Sequence, residues 1–100
     1  MEKKIVLNVE YDMTPENARA FVAELEEAGV LADIATHEGY LKYTYYLPLK
    51  PDDKLLLIEW WASQEALAKH AAQPCMATLR AIKEKYATGT AIHKYTEYEG

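Results

Sequence analysis

His70 is the side chain in this sequence best suited to act as a base near neutral pH. An imidazole has an ordinary pKa of about 6.5, and the spacing of Leu67, His70 and Ala71 places His70 on the inward edge of a predicted helix. A helix histidine of this kind can also serve only to hydrogen-bond a backbone group. The sequence therefore offers a catalytic base, with a purely structural role as the alternative.

Asn8 is the second candidate, because it lies in the middle of an otherwise apolar strand. A buried amide must find hydrogen-bond partners. Such an amide could orient a substrate oxygen, or it could bond a neighbouring side chain. We expect the first role, and we expect Asn8 to lie beneath the helix that carries His70.

Aromatic residues could form an apolar pocket beside these two polar residues. Tyr43 and Tyr45 share one face of a predicted strand, whereas Tyr46 takes the opposite face. A large aromatic ring can form a cavity wall while its polar atom finds a partner. Packing in an ordinary half-buried sheet is the alternative. The predicted substrate-binding residues are Trp61, Tyr43, Tyr45, Met76 and Tyr86.

The remaining reactive residues predict no metal site and no nucleotide site. His37, His70 and His93 show no metal-ligand spacing such as two histidines four apart, and the chain has no glycine-rich phosphate loop. Cys75 begins a predicted helix, where the helix dipole could lower the pKa of its thiol. No base partner for this thiol is evident, so we expect a small packing residue.

Composition excludes other classes of function. The net charge is −5 with only 11 lysines and arginines, which argues against a nucleic-acid partner. The apolar runs are too short to cross a bilayer, and the first residues lack an apolar signal core. The single cysteine fits a reducing compartment. We therefore expect a cytoplasmic protein that binds neither nucleic acid nor membrane.

Alternation and helical periodicity predict the elements that position these residues. Thr14 and Ser63 are expected to cap two helices, Pro74 to interrupt the second one, and Gly89 to end the further helix that follows Pro74. The predicted elements are a strand over residues 4–11, one long helix from Pro15 to about Thr36, strands over 40–48 and 54–61, helices on either side of Pro74, and a strand over 90–98.

This order is β-α-β-β-α-β, which predicts a ferredoxin-like α+β fold with both helices on one face of the sheet. Residues 55–61 form a nearly unbroken apolar run, so both faces of that strand must be covered. The helices cover only one face. A second copy laid sheet to sheet is the simplest cover for the other, with Trp60 directed towards it and Trp61 towards the helices.

One segment resembles the antibiotic biosynthesis monooxygenase family. It comprises residues 56–67, with Glu59-x-Trp61 at the end of a strand, followed by His70 and the step Gln73-Pro74-Cys75-Met76. The Glu38-Gly39 turn, followed by Leu41 and Tyr43, is similar to the family's turn before its second strand. The resemblance covers nearly the whole chain. It implies one such domain over residues 1–100, forming a dimeric α+β barrel with a cavity between sheet and helices.

The family's oxygenases act without metal or flavin on electron-rich phenols or hydroquinones. The resemblance thus implies a cofactor-independent monooxygenase of a small aromatic or quinol-like compound, with Asn8 and His70 as catalytic residues. Trp61 matches the family's tryptophan. Cys75 stands where quinol-monooxygenase-like members usually have histidine, and Tyr40 where many have cysteine.

Two alternatives accompany this interpretation. The first is a dimeric barrel that binds a small ligand or serves a stress response without turnover. The second is heme degradation, whose family branch uses an asparagine on the first strand, a tryptophan on the second helix and a heme-ligating histidine ten residues later. Asn8 fits the first position, but His70 and Arg80 stand at the other two. Heme degradation is therefore disfavoured.

Overall fold

The computed structural model of the chain describes residues 3–98. Within these residues, four strands and four helices follow one another in the order β1-α1-α2-β2-β3-α3-α4-β4. The strands are β1 (Ile5–Asp12), β2 (Tyr40–Tyr46), β3 (Lys54–Trp61) and β4 (Gly89–Thr96), and the helices are α1 (Pro15–Glu27), α2 (Val30–Ile34), α3 (Gln64–Ala71) and α4 (Cys75–Glu84).

The strands form one antiparallel sheet in the order β2-β3-β1-β4, which confirms the predicted ferredoxin-like α+β fold. Side chains at successive positions of a strand point to opposite faces. The odd-numbered residues of β1 and β3 therefore share one face, where they meet the helices. The buried core between this face and the helices includes Val9, Leu57, Phe21, Leu25 and Leu79.

The even-numbered residues of β1 and β3 form the other face of the sheet. Val6 pairs with Trp60, and Asn8 with Ile58. Trp60 and Ile58 are only half-buried, whereas Trp61 is fully buried under the helices. The predicted separation of the two tryptophans onto opposite faces is thus confirmed. We call this second surface the open face.

The helix capping follows the predicted residues. The Thr14 hydroxyl accepts a hydrogen bond from the Asn17 N–H at 3.1 Å, and Pro15 occupies the first turn of α1. The Ser63 hydroxyl accepts from the Ala66 N–H at 3.1 Å and caps α3. Each cap supplies an acceptor to a backbone N–H that has no partner within its own helix.

The prediction of one long helix from Pro15 to Thr36 is wrong. α1 ends at Glu27, and Gly29 adopts a left-handed φ of 76° before α2 begins at Val30. Left-handed backbone is readily adopted by glycine and cannot continue a right-handed helix. The apolar pattern persists across the break because Val30 and Ile34 of the separate helix α2 are themselves buried in the core.

None of the helices in the described part of the chain is both long enough and apolar enough to span a membrane.

The backbone at Gly39, directly before β2, packs closely against α3. Gly39 has a φ of 77°, and its carbonyl accepts a hydrogen bond from the Ala62 N–H at 2.8 Å. A Cβ atom at this position would lie 2.4 Å from the Cβ of Ala66. The turn that follows His37 is therefore seated directly against the first turn of α3.

Substitutions at two glycines distinguish the cost in stability of a left-handed backbone from the cost of a steric clash. Gly29→Ala introduces a left-handed alanine with nothing within 4 Å of its Cβ, so it should lower the free energy of unfolding by about 1–2 kcal/mol. Gly39→Ala adds a steric clash and should cost about 2–5 kcal/mol. Urea denaturation measures both. Equal losses would contradict the close packing described at Gly39.

Candidate functional site

A buried carboxyl group lies under the helices on β3. Glu59 is 6% exposed and Trp61 is 0% exposed, and both belong to the helix-covered face. The indole N–H of Trp61 donates a hydrogen bond to Oε1 of Glu59 at 3.0 Å. Burial raises the pKa of Glu59 to about 7, although the hydrogen bond from Trp61 acts in the opposite direction. Glu59 can therefore gain and lose a proton near neutral pH.

His70 on α3 lies over this pair. Its Nε2 is 3.7 Å from Oε1 of Glu59, and its ring stacks on the Trp61 ring with centroids 4.2 Å apart. Burial, together with the nearby His37, lowers the pKa of His70 to about 4. The imidazole is consequently neutral at physiological pH, so one ring nitrogen donates a hydrogen bond and the other accepts.

His37 extends the cluster towards α4. Its Nδ1 is 2.8 Å from Nδ1 of His70, and its Nε2 is 3.7 Å from Sγ of Cys75. Its ring also lies near that of Trp61, with the ring centroids 6.4 Å apart and the planes inclined by 27°. A continuous series of polar groups therefore runs from Cys75 through the two histidines to Glu59. We call these four residues the histidine relay.

A group of tyrosines lies on the other side of His70. The Tyr43 ring is 5.8 Å from His70 and 5.9 Å from Tyr45, and Tyr45 is 6.4 Å from Tyr11. Burial raises the pKa values of all three phenols, and the carboxylate of Glu59 adds to the rise. They are therefore neutral hydrogen-bonding groups. The expected common face of Tyr43 and Tyr45 is confirmed.

A cavity of about 400 Å³ opens beside Tyr45, between α1 and the end of β2. Its wall includes Val22, Leu47 and Leu55, with Arg19 and Glu26 as its charged residues. The buried hydroxyl of Tyr45 has no hydrogen-bond partner within residues 3–98. His70, Glu59 and Trp61 do not line this cavity, so the tyrosines stand between it and the histidine relay.

The expectation that Asn8 lies beneath the His70 helix is wrong. Asn8 pairs with Ile58 on β3 and with His93 on β4, which places it on the open face. His70 packs on the opposite face, against Trp61. The reason is the two-residue period of a strand: Asn8 alternates with Val9, whose side chain enters the core. The structure therefore does not bring the two predicted catalytic residues together.

The other predicted site residues have structural partners. The Tyr86 hydroxyl donates a hydrogen bond to Oε1 of Glu24 at 2.6 Å, and Met76 packs half-buried against the core. The suggestion of a lowered thiol pKa at Cys75 is wrong: burial, together with the neighbouring Asp33, raises it to about 11. Cys75 is therefore a neutral thiol at physiological pH.

Sequence reasoning missed two members of the histidine relay. Glu59 is the one charged residue in the apolar run 55–61, and it shares the face of Trp61, which is a readable sign of a buried carboxyl. His37 lies in a loop 33 residues before His70. Nothing in the local sequence indicates that the two histidines meet.

A comparison with known protein families identifies the family of this chain. Residues 4–82 match the model of the family described as antibiotic biosynthesis monooxygenase. The chain belongs to this family. No curated protein matches it significantly.

Several solved structures share the fold of this chain. A protein of unknown function from Bacteroides thetaiotaomicron, described as a possible oxidoreductase, is 22% identical with a TM-score of 0.81, over 97% of this chain and 100% of that one. SnoaB, a cofactor-independent oxygenase from Streptomyces nogalater, is 15% identical with a TM-score of 0.79, over 98% and 96%. A conserved protein from Methanosarcina mazei is 18% identical with a TM-score of 0.83, over 96% and 94%. At these identities the likeness establishes the fold alone.

The raised pKa of Glu59 predicts a pH-dependent effect on stability. A carboxyl that titrates at about 7 when folded and near 4.5 when unfolded is most favourable to folding below pH 4.5, and this contribution is lost as the pH rises through 7. Glu59→Gln removes this pH-dependent loss of stability, and its amide oxygen can still accept the hydrogen bond from the Trp61 indole N–H. Relative to wild type, the variant should gain up to about 3 kcal/mol between pH 4.5 and pH 8.

Urea denaturation of both proteins across this pH range measures the difference. Subtracting the wild-type values leaves the effect of Glu59, because His70 titrates in both proteins. Glu84→Gln is the matched control, since Glu84 is exposed on α4. A difference between Glu59→Gln and wild type that stays constant with pH would contradict a near-neutral pKa for Glu59.

Proposed function

We propose that this protein is a cofactor-independent monooxygenase of a small aromatic or quinol-like compound. The observation that carries the proposal is the buried Glu59, with a pKa of about 7, placed 3.7 Å from His70 in a member of the monooxygenase family. Titratable groups with strongly shifted pKa values concentrate at functional sites. The similarity in fold to SnoaB, itself a cofactor-independent oxygenase, supports the same class of reaction.

The reaction balances without an external reductant. A hydroquinone with a free ring position loses a proton, and the resulting anion transfers one electron to O₂. Recombination of the two radicals forms a carbon–oxygen bond, and the peroxide O–O bond then breaks. One oxygen atom stays on the ring, the other leaves as water, and the ring is oxidised to a hydroxyquinone. The protein must supply a proton acceptor and an apolar surrounding for the anion.

The described residues divide these tasks between two regions. The 400 Å³ cavity would hold the aromatic ring, with the unpartnered hydroxyl of Tyr45 available to a substrate oxygen. Glu59 would be the final proton acceptor, reached through Tyr43 and His70. His70 acts as a neutral hydrogen-bonding group rather than as the primary base. Asn8 lies on the open face and has no part in this cavity.

Oxygen consumption with a panel of reduced naphthoquinones and dihydroxybenzenes tests the proposal. Wild type should consume oxygen above the buffer rate and yield a product one oxygen atom heavier than the quinone. Glu59→Gln should lower kcat at least about a hundredfold, because it removes the proton acceptor and general-base catalysis contributes that much. His70→Asn should also lower kcat, because it interrupts the path by which the proton reaches Glu59. Glu84→Gln should retain the wild-type rate.

Two results would count against an oxygenase. One is the absence of uptake across the whole panel; the other is uptake that both Glu59→Gln and His70→Asn leave unchanged. Circular dichroism of each variant identifies a loss of rate that arises only from unfolding.

A ligand-binding protein without turnover is the second candidate, in the sense of a small-molecule carrier or stress-related module. It is favoured by one observation: the cavity is lined by Tyr45 but not by Glu59, His70 or Trp61. In that case an aromatic compound should raise the melting temperature, since ligands that bind only the folded state stabilise it. The compound should then be recovered unchanged after incubation in air.

We further propose that the chain acts as a homodimer through the open face. The half-buried Leu56, Ile58 and Trp60 lie there on the central strand β3, and Tyr95 on β4 is 50% exposed. The helices pack on the opposite face. Sheet-to-sheet pairing of two copies would remove this apolar surface from water, at roughly 25 cal/mol for each Å² buried. We also propose a cytoplasmic location, because the single cysteine fits a reducing compartment.

Light scattering tests the dimer. Wild type should give twice the chain mass of 11.4 kDa. Trp60→Glu should shift it to a monomer, because pairing would bury an unpartnered charge. Leu49→Glu is the matched control, since Leu49 is fully exposed in the loop between β2 and β3. A stable wild-type monomer would refute the proposal.

A further inference from the structure

We propose that Asp33, His37 and Cys75 form a binding site for Zn²⁺. The three residues offer a carboxylate oxygen, an imidazole nitrogen and a sulfur, and these ligand atoms all lie within 4.8 Å of one another. The site is separate from the cavity beside Tyr45, and it does not depend on the oxygenase proposal.

The backbone places Asp33 and His37 on the same side of one helical turn. α2 ends at Ile34, but the helical hydrogen bonding continues in a tighter form beyond it. The Thr36 N–H donates to the carbonyl of Asp33 at 2.9 Å, and the His37 N–H donates to that of Ile34 at 3.0 Å. Across this turn the ligand atoms of Asp33 and His37 lie within 4.8 Å of each other. Two ligands therefore come from one short segment.

Cys75 supplies the third ligand from a distant part of the chain. It is the first residue of α4, which packs against α2. Its Sγ is 3.7 Å from Nε2 of His37. Zinc bonds of about 2.3 Å to sulfur and about 2.0 Å to nitrogen, at a tetrahedral angle, separate the two ligand atoms by roughly 3.5 Å. The sulfur and the nitrogen thus already have the spacing of a zinc site, and the exposed Asp33 side chain can close the third position.

The surroundings of His37 hold its ring in the orientation that a metal ligand needs. Nδ1 of His37 bonds Nδ1 of His70 at 2.8 Å, and the ring stacks near Trp61. If His37 Nδ1 carries the proton and donates it to His70, then Nε2 keeps a free lone pair facing Cys75. A hydrogen bond to the second ring nitrogen is the usual support of a zinc-bound histidine.

The chemistry of the ligands selects the metal. One sulfur, one nitrogen and one carboxylate oxygen suit Zn²⁺ better than Mg²⁺ or Ca²⁺, which prefer oxygen ligands alone. Three protein ligands leave a fourth tetrahedral position for water or another small ligand. His37, bonded to His70, would also link the metal to the buried Glu59. The spacing of histidines along the sequence does not indicate this site, because its members are an aspartate, a histidine and a remote cysteine.

Metal titration of chelator-treated protein tests the site. Zn²⁺ should bind with a stoichiometry of one per chain in calorimetry. Co²⁺, used as a spectroscopic probe, should give visible d–d bands of tetrahedral intensity and a near-ultraviolet thiolate-to-cobalt charge-transfer band. Cys75→Ser should abolish the charge-transfer band, and Asp33→Asn should weaken Zn²⁺ binding at least about tenfold.

Asp33→Asn is the decisive variant, because Asp33 is exposed and its substitution leaves the core unchanged. His93→Gln is the matched control, since His93 lies on β4 on the open face, away from the three proposed ligands, and should retain wild-type metal binding. Absence of Zn²⁺ binding would overturn the proposal. So would binding that persists undiminished in both Cys75→Ser and Asp33→Asn. The readouts are spectroscopic and calorimetric, so a failed oxygenase assay leaves this test unaffected.

Discussion

The hydrogen bond between the Trp61 indole and the Glu59 carboxyl joins two neighbours on one face of β3, and both are shielded from water. A buried carboxylate is unfavourable unless it is paired or hydrogen-bonded, and otherwise the group tends to keep its proton. Trp61 provides one donor and a flat surface on which His70 stacks. His70 in turn positions His37. The arrangement of the buried polar groups thus follows from one acidic residue within an apolar strand.

Features of the fold that depend on nearby residues could be predicted from the sequence. Strand alternation separated Trp60 from Trp61, and the side chains of Thr14 and Ser63 marked the starts of α1 and α3, because each effect operates within a few residues. The break at Gly29 could not be predicted with the same rules. At Gly29 the apolar periodicity favours a continuous helix, whereas glycine favours a break in the backbone. Both features occur in the structure, because α2 is a separate helix that also packs against the core.

The candidate site was predictable in part for the same reason. The inward positions of His70 and Trp61 and the shared face of Tyr43 and Tyr45 follow from periodicity. Alternation along β1 places Asn8 and Val9 on opposite faces, but it does not tell which of these faces receives the helices, because that depends on tertiary packing. The meeting of His37 with His70 and Cys75 depends on how a loop and two helices are brought together, over separations of 33 and 38 residues. Local pattern carries no information on such contacts.

The close packing of Gly39 against α3 has a consequence for the position of His37. The turn follows His37 by two residues, and its carbonyl is held by the N–H of Ala62. A side chain at residue 39 would push the turn away from Ala66, and with it the loop that brings His37 to His70. The contact between two histidines on separate segments of the chain therefore depends on the absence of a side chain at residue 39.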